Sequence, residues 1–148
     1  MYVDEAGVDD TLVYAYGWSR RGTRCFGEKL GHRTCRVSMA AALCGGQVLS
    51  PLTFEGYCDA PLIQAWFEQQ LVRELRPGQT VILDNASFHN HEALRAILAT
   101  KNCFLLPLPS YSPDLNHIEP LWNHIKSKIA HDHTPDRAFR GKVDRAFL

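Results

Sequence analysis

Two apolar runs, Cys35 to Leu43 and Gln47 to Phe54, flank Gly45-Gly46, and no other feature limits the fold of this 148-residue chain so tightly. Both glycines can take the positive φ that a two-residue β-turn needs, so the pair predicts a hairpin. The pattern then alternates between helix and strand. Asp59 and Pro61 mark a helix start, Ile63, Trp66, Phe67 and Leu71 recur at helical spacing, and Arg76-Pro77-Gly78 ends the run. Thr80 to Leu83 reads as a short apolar strand running into Asp84. Asn90 is placed to cap a second helix with Leu94, Ile97 and Leu98 on one stripe, and Asn102 to Leu106 reads as a buried strand. Pro107, Pro109 and Pro113 keep the next stretch extended, and Ile118, Leu121, Trp122, Ile125 and Ile129 form the stripe of a last helix. Ahead of the hairpin, Met1 to Val3 reads as the end of a short strand closed by Asp4, with a loop from Glu5 to about Thr34. Beyond His131 the chain is polar and poorly patterned, and we expect it to fray. The order predicts an α/β fold, a central mixed sheet flanked by helices.

Composition narrows the class. A chain of 16.7 kDa with 45% apolar and 22% charged residues is expected to be one soluble domain with an ordinary core. No apolar stretch approaches the ~18–20 residues that cross a bilayer. Cysteines stand at 25, 35, 44, 58 and 103, an odd number without a C-x-x-C pair, which favours reduced thiols and a cytoplasmic location. Only His89/His91 and His131/His133 are close enough to suggest zinc ligands, too little for a structural site.

Three acids stand out by position. Asp4 and Asp84 close strands and Glu119 opens the last helix, and sites on open α/β sheets gather outside strand carboxyl ends. Clustered carboxylates repel one another unless a cation sits between them, and oxygen donors suit Mg²⁺ or Mn²⁺. Three carboxylates, two divalent ions and one bridging phosphodiester balance to zero charge, a count that suits two-metal phosphoryl transfer. Blander explanations stand beside this one. Asp84 can be a turn residue before Asn85, Glu119 can complete a capping box with Asn116, and Asp4-Glu5 can be a solvated pair.

The contexts of these acids carry a resemblance. Val3-Asp4-Glu5-Ala6-Gly7, Leu83-Asp84-Asn85-Ala86-Ser87-Phe88-His89 and the block from Ser110 to Trp122 resemble the catalytic blocks of DDE transposases, in the bacterial insertion-sequence branch of the mariner-like superfamily. Between Asp84 and Glu119 lie 34 residues, the spacing of that group, and the resemblance covers roughly residues 1–130. It implies a ribonuclease H-like fold, a catalytic domain over residues 1–131 and a polar tail over 132–148. It also implies that Asp4, Asp84 and Glu119 are catalytic and hold two Mg²⁺ or Mn²⁺ ions. Asn85, His89 and Asn116 would orient the ligands from behind, although His89 can equally cap its own loop. The implied reaction is DNA cleavage at terminal inverted repeats, then attack of the freed 3′-hydroxyl on target DNA at a TA dinucleotide. The partner is double-stranded DNA, bound as a homodimer on the nucleoid, with no membrane.

Charge agrees once its distribution is read. Lys and Arg total 16, as do Asp and Glu, yet Arg20, Arg21, Arg24, Lys29, Arg33 and Arg36 fall within seventeen positions. We expect Arg20, Arg21, Arg24, Lys29, Arg33 and, on the last helix, Lys126 to contact DNA phosphates. An ordinary solvated loop is the alternative. Full-length relatives carry helix-turn-helix modules ahead of the catalytic domain, and this sequence starts three residues before Asp4. We therefore expect a second-frame product of a frameshifted element, its recognition region supplied separately, or a truncated copy. The second function that fits is an inactive remnant that binds DNA or intact transposase and modulates it.

Overall fold

The computed structural model describes residues 1–12, 17–26, 31–110, 112–132, 134 and 138–148. Lys29, His133 and, within the Ser110 to Trp122 block, Tyr111 lie outside the described residues. Five strands form one sheet: β1 (Tyr2–Asp9), β2 (Arg36–Cys44), β3 (Gln47–Glu55), β4 (Thr80–Leu83) and β5 (Phe104–Pro107). Their order is β3-β2-β1-β4-β5, antiparallel across β3-β2-β1 and parallel across β1-β4-β5. The hairpin turns as its glycines require, with φ of 57° at Gly45 and 81° at Gly46.

β2 is the spine of the molecule. Six consecutive residues, Val37 to Ala42, are buried, because helices cover both faces. Ala40 and Ala42 point into one core with Val3, Val81, Leu83, Leu94 and Leu98, while Met39 and Ala41 point into the other with Ile118, Trp122, Ile125 and Ile129. That split is the two-residue period of a strand.

The first core is covered by α1 (Ala60–Trp66), which passes through a π-helical turn (Phe67–Leu71) into α2 (Val72–Glu74), and by α3 (His91–Ala99). Asp59 caps α1 by accepting from the Leu62 amide at 3.0 Å, and Asn90 caps α3 from the Ala93 amide at 3.1 Å, as the sequence predicts. The wide turn lets Trp66 and Phe67, adjacent in sequence, both enter the core, with the Trp66 indole donating to the Ser50 carbonyl at 2.9 Å.

The second core is covered by α4 (Glu119–His131) and α5 (Phe139–Ala146). The helix α5 corrects the expected fraying. Val143 is fully buried, Ala146 nearly so, and Lys142 and Arg145 bind the Asp132 backbone and carboxylate. Phe139, Val143, Ala146 and Phe147 form a stripe only two turns long, too short to stand out among polar neighbours.

Two strands also differ from expectation. β1 does not end at Asp4 but runs on to Asp9, because Asp4 to Asp9 pair with Ala41 to Arg36 of β2. β5 is a sheet edge rather than a buried strand, with Leu105 facing the core while Phe104 and Leu106 are mostly exposed.

Candidate active site

β1 and β4 run parallel for only two paired positions, Tyr2 with Ile82 and Val3 with Leu83. Asp4 and Asp84 are the next residue on each strand, so the register sets them side by side where β4 stops. The strand end expected at Asp4 is thus real for the β4 side of β1, while the β2 side continues.

Asp4 is 7% exposed and shares the sheet face of Tyr2, Ala6 and Val8, the face that α4 covers. There the Trp122 indole donates to its Oδ2 at 2.8 Å. Burial pushes the Asp4 carboxyl up to about 7 against that hydrogen bond, and the Glu5 and Asp84 charges push the same way.

Glu5 points to the opposite face. Its Oε2 lies 3.4 Å from His89 Nε2, and its Oε1 is buried without a partner. The same His89 nitrogen is 3.0 Å from Asp84 Oδ1, which also accepts from the Ala86 amide at 3.3 Å. Burial alone would lower the His89 pKa, but hydrogen bonds to Asp84 and Glu5 overcome it and raise it to about 9. At neutral pH His89 is therefore an imidazolium between two carboxylates. Its hydrogen bond holds the Asp84 carboxyl below the usual range. The turn role of Asp84 and its role in the cluster coexist, since one oxygen serves both the Ala86 amide and His89. Asp84 Oδ2 carries no hydrogen bond among the described residues.

Glu119 is the first residue of α4, with Pro120 behind it in the first turn. No side chain caps this helix, so the capping-box alternative is not what forms. Asn116 is buried, and its Oδ1 has no partner. Asp4, Asp84, Glu119, Asn85 and Asn116 all line one pocket of about 440 Å³, closed on one side by Ser110, whose hydroxyl accepts from Asn85 Nδ2 at 3.2 Å. His89 stands behind Asp84 rather than in the pocket wall.

The donor set decides what such a pocket can hold. The side chains named on its wall offer oxygen, from three carboxylates and the unpaired Asn116 amide, and no thiol or imidazole, which suits a hard divalent cation. Glu5, Asp84 and His89 also bring one ligand atom each within 4.8 Å of one another, with His89 Nε2 3.0 Å from Asp84 and 3.4 Å from Glu5. Glu5 and Trp122 are the residues the sequence analysis missed. Glu5 stands beside Asp4 but a strand turns it to the other face, and Trp122 reads as a core residue although its N–H is polar.

The expected DNA-contacting residues fall elsewhere. Arg20, Arg21, Arg24 and Arg33 are exposed, on a stretch that also presents Trp18 and Phe26, and Lys126 is half-buried on α4. None of these lines the pocket.

The order of the five strands and the helices on both faces define a ribonuclease H-like fold. Over 97% of this chain it superposes on Mos1 in its strand transfer complex, with TM-score 0.69, 20% identity and 44% of the Mos1 chain covered. A Mos1 mariner paired-end complex with Mn matches over 88% of this chain and 41% of that one, at TM-score 0.55 and 19% identity. The catalytic core domain of BIV integrase matches over 99% and 80%, at TM-score 0.56 and 9% identity. This chain spans less than half of each of these two Mos1 polypeptides. The chain belongs to the DDE superfamily endonucleases, whose family profile matches residues 1–138. No curated protein sequence matches it.

Proposed function

We propose that this chain is a transposase catalytic domain that cleaves DNA strands and transfers them to target DNA with Mg²⁺ or Mn²⁺ held by Asp4, Asp84 and Glu119. The observation that carries the reading is the meeting of three carboxylates, separated widely in sequence, on one pocket wall of oxygen donors. When bound, divalent ions there supply the positive charge that stabilises the phosphoryl-transfer transition state. The protein's part is positioning. Trp122 fixes the Asp4 carboxylate, His89 and Glu5 fix one oxygen of Asp84 and leave the other toward the pocket, and α4 delivers Glu119. No nucleophilic side chain is needed, and His89, committed to two carboxylates, is not free to act as one.

The substrate is double-stranded DNA, terminal inverted repeats first and a TA target second, engaged by a homodimer. Arg20, Arg21, Arg24, Lys29, Arg33 and Lys126 contact its phosphates, and Asn85 and Asn116 support the acids. Support comes from family membership and from the likeness to Mos1 structures whose names include strand transfer and paired-end complexes.

The test is calorimetric titration of the chain with Mn²⁺ beside the triple variant with Asp4, Asp84 and Glu119 changed to Ala. Saturable binding lost in the variant is expected, together with duplex cleavage abolished by Asp84→Asn. Equal binding by both proteins would remove the acids from the site. A chain that binds neither ion nor DNA would leave the modulating remnant as the better reading.

A further inference from the structure

Arg36 opens β2 and pairs with Asp9, on the sheet face that Glu5 and Gly7 share. Its guanidinium is held without any acceptor. No hydrogen bond or carboxylate meets it among the described residues, and its Nε is buried and unpaired. What holds it is shape. The Tyr57 ring lies 4.8 Å from its Cζ, a cation–π contact, and the Gly7 backbone lies so close that a Cβ there would sit 2.1 Å from Nη2 and 2.7 Å from Cζ. Only glycine at position 7 leaves room for the guanidinium against β1.

The buried Nε has lost its water without gaining a partner, which is unfavourable, while the partly exposed side chain leaves the guanidinium reachable by an anion. Planar donors in a fixed fork match a phosphate oxygen pair better than a mobile lysine does. The location matters as much. Gly7 lies two residues, roughly 7 Å, beyond Glu5 along β1. Cys58, next to Tyr57, is pushed up to about 12 by burial and then by the Glu5 charge, which agrees with the loop carrying Tyr57 standing on the Glu5 side of the sheet.

We propose that Arg36, held against Gly7 and beneath Tyr57, is a preformed seat for a backbone phosphate of DNA bound beside the Glu5 and Gly7 face of the sheet. This rests on the transposase reading and adds a contact outside the exposed arginine stretch. The sequence places Arg36 at the end of that stretch, but the structure separates it from the others. They are solvated, whereas its guanidinium is packed.

Fluorescence anisotropy of a short labelled duplex over a salt series tests it, with Arg36→Gln, Gly7→Ala and Tyr57→Ala beside the wild type. Arg36→Gln should weaken binding several-fold and flatten the log–log salt slope by about 0.9, the value of one phosphate contact. Gly7→Ala keeps every charge but must displace the guanidinium, so it should weaken binding in the same direction. Circular dichroism checks that each variant is folded. An unchanged slope in Arg36→Gln, or full affinity in Gly7→Ala, overturns the seat while leaving the functional reading intact. Absence of duplex binding by the wild type overturns both. The Arg36 Nε–H resonance, followed during titration with inorganic phosphate and with duplex, separates the sources of anion. Saturation by phosphate with no response to duplex assigns the seat to a free anion and overturns the DNA contact.

Discussion

Asp4→Asn should make the protein more stable, and the gain should depend on pH. The substitution keeps the volume and leaves Oδ1 to accept from the Trp122 indole, so it removes the buried charge and little else. Burial raises the Asp4 carboxyl from 3.8 to about 7. Between those values the folded chain holds a proton that the unfolded chain releases, so stability falls as pH rises from about 4 to about 7 and stays low above. At ~1.4 kcal/mol for each pH step, the ionised group costs on the order of 4 kcal/mol at pH 8. At ~2–4 °C for each kcal/mol in a chain of this size, Asp4→Asn should raise Tm by roughly 10 °C at pH 8. Near pH 4 it should change Tm little. The assay is calorimetric melting of both proteins across pH 4–9, in chelator and then in Mn²⁺. The ion should stabilise the wild type, by about 2.7 kcal/mol at one hundred times its Kd, and Asp4→Asn much less. An equal gain at pH 4 and pH 8, or none at either, would refute the account of Asp4 as a buried charge that a bound cation would stabilise.

Three further outcomes follow from named contacts. His89→Gln should lower the urea midpoint at pH 6 by the equivalent of about 1–3 kcal/mol, since two carboxylates lose a shared cation. The His89 pKa is raised from 6.5 to about 9, so its contribution is full below 6.5 and lost as pH passes 9, and the two proteins should converge there. Trp122→Phe keeps the ring in the core but strips Asp4 of its donor; Mn²⁺ affinity, read by calorimetry, should fall more than thermal stability, and an unaltered affinity would make Trp122 a packing residue only. Val143→Ala should cost about 1–3 kcal/mol in urea unfolding because α5 is docked, whereas a frayed tail would register no change.

How far the sequence could be read depended on whether the deciding interaction was local. The Gly45-Gly46 turn and the caps at Asp59 and Asn90 are settled within a few residues, so they were readable and formed as expected. The extent of β1 was not, because Glu5-Ala6-Gly7 has little strand preference of its own. It is extended by pairing with β2, across a connection of more than twenty residues. The edge position of β5 is likewise a matter of topology, which the apolar run Phe104-Leu105-Leu106 does not encode. For the candidate site, the motif contexts pointed to Asp4, Asp84 and Glu119, which meet in one pocket. What stayed hidden was how each is held. Glu5 and Trp122 act through a strand face and an indole N–H, properties that appear only when partners are known.

The bond between Trp122 and Asp4 joins residues 118 positions apart, and the helix that carries this tryptophan also carries Glu119. The order of synthesis therefore matters. The indole partner of Asp4 and the third carboxylate leave the ribosome about 6–24 s after Asp4 itself, at ~5–20 residues per second. Through that interval the nascent chain holds two acids and no complete pocket, so chains stalled before Glu119 should bind no Mn²⁺. A core built this way cannot complete its acidic pocket until α4 has been made.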